Sequence, residues 1–238
     1  CTISNCYQTG TISGTSYSAG GIAGYFFEGT ISNCYNTGAV GSSTGNTIGG
    51  IVAASYNVTI TNCYNTGPVS GTNYNVAGTA GYNIGGITGY LYGTGKVLNS
   101  YNTGAVVGKI SVGGIAGETR GGTIACSYNT GSVNGSNCYV GGIAGYLGSA
   151  ITNCYNTGSL IGLSSVGGVA GYHAGIIKTS YGICNLTVNG RSAASSLYYN
   201  DSSNTAIDLS GNLADFMADP SAVGPGLRRG AYSARPIR

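Results

Sequence analysis

The octapeptide ISNCYNTG at residues 31–38 decides the fold, because it returns along the chain almost unchanged. ITNCYNTG occupies residues 60–67 and 151–158, and weaker copies begin at Ile3, Val97, Ile124 and Ile177. All seven copies keep the tyrosine, at Tyr7, Tyr35, Tyr64, Tyr101, Tyr128, Tyr155 and Tyr181. Successive tyrosines are 28, 29, 37, 27, 27 and 26 residues apart. A period in this range indicates a repeat architecture.

A second motif, GGIAGY at residues 20–25, recurs with the same period from Gly49, Gly85, Gly113, Gly141 and Gly167. Both motifs are short, rich in β-branched and aromatic residues, and bounded by glycine or asparagine, which is typical of strands. They predict three apolar columns: Ile3/Ile31/Ile60/Val97/Ile124/Ile151, Ile22/Ile51/Ile87/Ile115/Ile143/Val169 and Val40/Val69/Val106/Val133/Leu160. The predicted fold is all-β, a right-handed parallel β-helix (β-solenoid) with about 27 residues and three strands per turn.

Composition agrees with a solenoid. The 238 residues include 45 glycines, 42% hydrophobic residues and only 6% charged ones. Tight corners use the glycine, and stacked turns bury a continuous core. The net charge of +3 is too small for a nucleic-acid partner, and no run of 18 apolar residues predicts a membrane span. We expect an exported protein with no cofactor.

The chain divides into a repeat body at residues 1–190 and a C-terminal cap segment at residues 191–238. Within the cap segment, residues 210–217 predict a short helix, because Leu213, Phe216 and Met217 form one apolar face. An extended basic tail follows. We expect it to lie along a neighbouring subunit through Arg228, Arg229, Tyr232, Arg235 and Arg238. The body's long third unit carries its extra residues in an arm at about residues 71–84.

Four of the eight cysteines share one repeat position, Cys6, Cys34, Cys63 and Cys154, and serine fills it in three other units. One interpretation is a small side chain filling a column of the stack. The alternative is disulfides between successive rungs, because neighbouring strands about 4.8 Å apart fall within disulfide reach.

With one histidine and no CxxC pair, no zinc site is predicted. The sequence opens within a repeat, with Cys1 at the position that Gly29 has in the next unit. We therefore expect a processed or trimmed product, and the alternative is a lipid-bearing Cys1.

Catalytic residues are sparse in the repeat body, where Glu28 and Glu118 stand three units apart, and we predict no enzyme. A binding strip is the stronger candidate. The last position of GGIAGY is Tyr25, Tyr90, Tyr146 and Tyr172, with Glu118 in another unit, so it should face water. Tyrosine strips stack on sugar rings or join protein interfaces. A threonine column with asparagines beside it predicts side-chain bonds to the backbone at corners.

The motif pair NCYNTG and VGGIAGY resembles the GLUG-type repeats of bacterial surface proteins, over residues 1 to about 182. Such repeats occur in large adhesin-like proteins and beside immunoglobulin A peptidase modules. The resemblance implies a secreted or wall-associated β-solenoid stalk without catalytic residues. The second unit departs from the pattern, with Ala53-Ala54 where Gly24-Tyr25 stands.

These observations predict a non-enzymatic extracellular structural protein that stacks end to end into a surface filament. The partner is then a second copy of the chain. The alternative function is a carbohydrate-binding adhesin that uses the tyrosine strip. A third alternative is a trimmed fragment of a longer stalk whose tail folds back on its own body.

Overall fold

Each NCYNTG copy begins with a corner. Asn33, Asn62 and Asn153 all have φ 53°, in the left-handed region of the backbone. Asparagine enters this region more readily than most non-glycine residues, because its short polar side chain can hydrogen-bond locally. The corner turns the chain between Ile31, which points into the core, and Tyr35, which is half-buried. Strict alternation along the strand therefore does not carry Tyr35 inward.

A computed structural model describes residues 1–14, 17–43, 45–71 and 82–199, and for residues 191–199 it describes the backbone. The described strands form three stacked sheets in a β-solenoid of about six turns with about 28 residues per turn. The predicted all-β solenoid is thereby confirmed, while its right-handed sense stays a prediction. Sheets 1 and 2 usually take two strand segments from each turn, where the sequence predicted one strand per face.

Sheet 1 has eleven strands, which are Thr2–Ser4, Ala23–Ser32, Val52–Thr61, Thr88–Tyr92, Lys96–Leu98, Ala116–Arg120, Thr123–Ala125, Ala144–Leu147, Ala150–Thr152, Ala170–His173 and Ile176–Lys178. Sheet 2 has fourteen, which are Tyr7–Gln8, Ile12–Gly14, Tyr35–Asn36, Val40–Ser42, Tyr64–Asn65, Val69–Ser70, Tyr101–Asn102, Val106–Gly108, Tyr128–Asn129, Val133–Gly135, Tyr155–Asn156, Leu160–Gly162, Tyr181–Val188 and Arg191–Tyr199. Sheet 3 has six, which are Ser18–Gly20, Thr47–Gly49, Asn83–Gly85, Val112–Gly113, Cys138–Gly141 and Ser164–Gly167.

The strands pair in parallel, and equivalent repeat positions face one another. Ile31 pairs with Ile3 on one side and with Ile60 on the other, as the repeat alignment predicts. The antiparallel exception is Arg191–Tyr199, which lies beside Tyr181–Val188 at the last rung. The sequence analysis assigned no strand to this part of the cap segment.

The core consists of two apolar clusters. One holds the Ile31 and Ile51 columns, and the other holds the Val40 column. All three predicted columns are confirmed as buried, apart from Ile3 and Ile22 of the first rung, which are half-buried. The sequence analysis missed a further column, placed just before each Gly-Gly pair, whose members are buried Ala19, Ile48, Ile84, Val112 and Val140 and half-buried Val166.

Several predictions fall outside the described residues. These are the short helix at residues 210–217, the tail with Arg228, Arg229, Tyr232, Arg235 and Arg238, and most of the arm at residues 71–84. The arm's described end, Asn83–Gly85, is a strand of sheet 3.

Candidate functional site

The predicted tyrosine strip is a register column on the outer face of sheet 1. Tyr25 pairs with Ala54, Ala54 with Tyr90, Tyr90 with Glu118, Glu118 with Tyr146 and Tyr146 with Tyr172. Tyr25 is 63% exposed and Tyr172 is 42% exposed, whereas Tyr90 and Tyr146 are half-buried. The prediction that these tyrosines face solvent, made from strand alternation, is therefore consistent with their exposure. The role of the strip in binding stays a prediction.

Two interruptions divide this column. At Glu118 the carboxylate accepts a hydrogen bond from Nε of Arg120, and the Arg120 guanidinium lies 5.9 Å from the centre of the Tyr146 ring. Beyond it Tyr146 stacks on Tyr172 with centroids 4.9 Å apart, and Tyr139 borders both rings. At Ala54 the side chain is a methyl group, so the column has no ring between Tyr25 and Tyr90.

A second aromatic column, missed by the sequence analysis, runs beside the first. Phe27 stacks on Tyr56 at 4.8 Å between centroids, and Tyr56 stacks on Tyr92 at 5.1 Å. These residues lie two positions after the first column, so strand alternation places both columns on one face. The signal was present in the sequence as an aromatic residue two positions after the first column in each of these three units.

The two columns enclose a cleft over Ala54. Its volume is about 220 Å³, and its lining, which is almost wholly apolar, consists of Tyr25, Ala54, Ser55, Tyr56, Tyr90 and Tyr92. Ser55 is buried, and its hydroxyl bonds the carbonyl oxygen of Tyr90 at 3.0 Å and lies 3.3 Å from Oγ1 of Thr88. Burial raises the pKa of Tyr90, so its hydroxyl keeps its proton further into the alkaline range than a free tyrosine does.

The predicted cysteine column is a hydrogen-bond ladder that cysteine and serine share. The thiol of Cys34 donates to the carbonyl oxygen of Ser32 and accepts from the backbone N–H of Cys6. The hydroxyl of Ser100 does the same with Leu98 and with Cys63 of the preceding rung. One small group that both donates and accepts makes the two bonds of each rung, which explains why cysteine and serine can replace each other at this position.

All eight cysteines are free thiols in the structure. In the column Cys34, Cys63 and Cys154 are buried, and Cys6 at the first rung is exposed. Burial raises the pKa of Cys63 and of Cys154 to about 12, so both stay neutral and unreactive as nucleophiles. The ladder favours the small-side-chain interpretation, and disulfides between rungs stay a prediction.

Asparagine makes the corner bonds that the sequence analysis assigned to threonine. Asn36, Asn65, Asn102, Asn129 and Asn156 are fully buried, whereas the threonine after each is exposed or half-buried. Nδ2 of Asn65 donates to the carbonyl oxygen of Gly67 and to Oδ1 of Asn102, both at 2.8 Å. The same pair of bonds links successive rungs from Asn36 to Asn156.

The tyrosine of NCYNTG forms a stack along sheet 2. Rings from Tyr7 to Tyr155 stack at centroid distances of 4.9–5.3 Å and nearly parallel planes. Exposure falls along the stack from 66% at Tyr7 to 6% at Tyr155. Burial, with a contribution from Tyr128, raises the pKa of Tyr155 to about 12.

Other chemistry is sparse in the part of the chain that the structure describes. Among those residues no group of three His, Cys, Asp or Glu side chains is placed to hold a metal ion. Nor does the described part contain a helix long and apolar enough to cross a membrane. Glu28 lies near the first rung and Glu118 is bound to Arg120, so the two carboxylates are not brought together.

Residues 136–161 match the family model of the GLUG motif, which confirms the resemblance for that segment. A crystal structure from Bacteroides ovatus, whose protein is called a "putative immunoglobulin A1 protease", is similar with a TM-score of 0.57 and 24% identity. The similarity covers 82% of this chain but 62% of that one, and at this identity it shows the fold alone. Comparison with curated protein sequences finds no match.

Proposed function

We propose that this β-solenoid is a non-enzymatic structural element of an extracellular or cell-surface protein, and that its first rung is an edge for end-to-end assembly with a second copy. The protease name belongs to a chain of which this one spans 62%, so it carries no activity to these residues. The proposal rests on what the repeated polar side chains do.

The asparagine ladder is the observation that carries the structural role. Each buried amide from Asn36 to Asn129 bonds its own turn and the next rung. The cysteine–serine ladder and the tyrosine stack repeat this arrangement at two neighbouring positions. Repeated polar residues that contact one another along the axis stabilise a rod, whereas catalysis needs polar groups that converge on a substrate.

The first rung supports the assembly edge. Its strands Thr2–Ser4, Tyr7–Gln8, Ile12–Gly14 and Ser18–Gly20 each pair with the second rung, and no described strand covers their outer side. Oδ1 of Asn36 is buried without a hydrogen-bond partner, although each later asparagine in the ladder accepts a bond there. Unpaired strand edges are templates for strand addition.

The opposite end differs. Arg191–Tyr199 covers sheet 2 at the last rung, while Ala170–His173, Ile176–Lys178 and Ser164–Gly167 have no described strand on their outer side. A second copy would therefore pair on sheets 1 and 3. In this assembly the basic tail with Arg228, Arg229, Tyr232, Arg235 and Arg238 lies along the neighbouring subunit.

Electron microscopy and sedimentation velocity over a range of concentrations test the assembly. Thr2→Lys with Tyr7→Lys places charge on the exposed first-rung edge and should leave short rods, whereas the wild type lengthens. Thr66→Lys, an exposed position on the side of the stack, is the matched control and should lengthen as the wild type does. Monodisperse short rods for all three proteins contradict the assembly edge. Antibody labelling of intact cells tests the surface location.

A second candidate function is binding of sugar rings, because the exposed aromatic columns on sheet 1 include rings that are not part of the core. A glycan array tests it. Reproducible binding that is lost with Tyr90→Ala and with Tyr146→Ala supports an adhesin, and binding that survives both changes contradicts use of this strip.

A further inference from the structure

We propose that the cleft over Ala54 binds one pyranose ring of a neutral oligosaccharide, held between the faces of Tyr25 and Tyr90. This inference rests on the second candidate function and restricts it to one subsite, where binding needs Tyr90 but not Tyr146, and it does not depend on assembly at the first rung. It gives that function a specific subsite, at the unit where the repeat pattern loses its tyrosine.

The cleft is the space of one missing ring. Tyr25, Ala54 and Tyr90 occupy the same register position on three successive rungs. The neighbouring column crosses the same two steps with ring centroids 4.8 and 5.1 Å apart. A ring placed over Ala54 therefore has an aromatic face about one strand spacing, about 4.8 Å, away on each side.

This spacing fits a sugar ring. Carbon atoms in contact lie about 3.5–4.0 Å apart, so flat rings whose centroids are 4.8 and 5.1 Å apart, as in the neighbouring column, touch only when they are tilted or offset. A pyranose chair carries axial hydrogens on both faces, and these extend toward the tyrosine rings. The cleft volume of about 220 Å³ is below the range typical of drug-sized ligands and suits a single ring.

The lining also determines the polarity of the ligand. Ser55 is buried and its hydroxyl bonds the carbonyl oxygen of Tyr90, so the floor that meets the edge of the ligand's ring is largely apolar. Tyr25, Tyr56, Tyr90 and Tyr92 present apolar ring bodies with hydroxyl tips, which suit C–H faces surrounded by hydroxyl groups. Among the residues that the structure describes, no charged side chain lines the cleft, and Glu118 and Arg120, one rung beyond, bind each other. A neutral ring is therefore favoured.

Cellotetraose and chitotetraose are the probes, measured by saturation-transfer NMR and titration calorimetry. Wild-type protein should bind at least one of them. Ala54→Tyr restores the repeat's own side chain and should abolish binding, with circular dichroism and the melting temperature unchanged or higher. Tyr25→Ala removes one wall and should weaken binding by about fivefold, the range of an aromatic contact. Tyr172→Ala, in the same column outside the cleft, should bind as the wild type does.

Three outcomes overturn the proposal. The first is no binding of either probe by the wild type, and the second is binding that Ala54→Tyr leaves intact. The third is an aromatic or protein occupant: p-cresol binds in place of the sugars, or Ala54→Tyr abolishes concentration-dependent self-association while neither sugar has any effect. Assembly at the first rung is separable, because it responds to Thr2→Lys with Tyr7→Lys and not to Ala54→Tyr.

Discussion

Gly86 lies directly against the buried amide of Asn102. A methyl carbon on Gly86 would stand 2.3 Å from Cγ of Asn102 and 2.2 Å from the carbonyl oxygen of Gly114. The second glycine of each Gly-Gly pair contacts the asparagine ladder in the same way, at Gly50, Gly114 and Gly142. The chain crosses from one apolar cluster to the other at the Gly-Gly pair, and it crosses back at the ladder asparagine. The two sequence motifs therefore contact each other at the boundary between the two clusters.

Gly86→Ala should therefore be strongly destabilising, by about 3 kcal/mol or more, because the backbone and the buried amide on either side have no room to move. Urea unfolding measures the change. Gly24→Ala is the control, since an added carbon there would lie 3.4 Å from the carbonyl oxygen of Ser18 and meet nothing closer. Equal stability of the two variants would show that the ladder yields to the added methyl group.

Gln8→Asn should stabilise the first rung. Oδ1 of Asn36 is buried without a partner, while Oε1 of Gln8 accepts a bond from the backbone N–H of Gly10 at 2.9 Å. An asparagine at position 8 can donate to both Gly10 and Asn36, as later members of the ladder do. Satisfying a buried acceptor should raise the free energy of unfolding by about 1 kcal/mol. Gln8→Ala is the comparison, and a Gln8→Asn variant no more stable than Gln8→Ala contradicts the extended ladder.

Thr179→Asn should also stabilise the protein. Thr179 occupies the corner position of Asn33, with φ 47°, and a β-branched residue is strained in the left-handed region. Asparagine at this corner should relieve about 1 kcal/mol. The reverse change, Asn62→Thr, should cost a similar amount at an equivalent corner with φ 53°. Thermal and urea unfolding measure the change in stability of each variant. If both variants are stabilised, or both destabilised, corner strain is excluded as the cause.

Cys63→Ser and Cys154→Ser should fold with little loss of stability, because serine fills the same ladder position at Ser100, Ser127 and Ser180. In native wild-type protein a thiol reagent at pH 8 should modify exposed Cys1 and Cys6 and leave Cys63 and Cys154 unmodified until unfolding. Mass spectrometry with and without reductant distinguishes protection by burial from disulfide formation. Loss of stability on reduction of the wild type would instead support disulfides between rungs.

Stability should fall at alkaline pH. Burial raises the pKa of the Cys63 and Cys154 thiols and of the Tyr155 hydroxyl to about 12 in the folded chain. The unfolded chain releases these protons at lower pH, so the stabilisation is complete below about pH 9 and is lost as the pH rises toward 12. Urea midpoints in reductant should be level from pH 6 to 8 and lower at pH 10.5. The double variant Cys63→Ser with Cys154→Ser should show a shallower decline.

The sequence by itself determined the solenoid. The repeat spacing of Tyr35, Tyr64 and their equivalents fixed the register, because parallel strands in a coil align identical positions. Alternation then placed Ile31 inside and Tyr25 outside, since the side chains of a strand point to opposite faces. Those assignments need information only from within one repeat and from its period.

The tertiary structure alone decided which polar residue of NCYNTG is buried. Asn36 and Thr37 are adjacent and equally regular in the sequence, and the corner at Asn33 selects Asn36 for the interior. The contact of Gly86 with Asn102 joins two motifs through packing between separate faces of the coil, which no local pattern specifies. The cleft over Ala54 has the same origin, because a departure in one repeat becomes a cleft only when Tyr25 and Tyr90 of the adjoining rungs flank it.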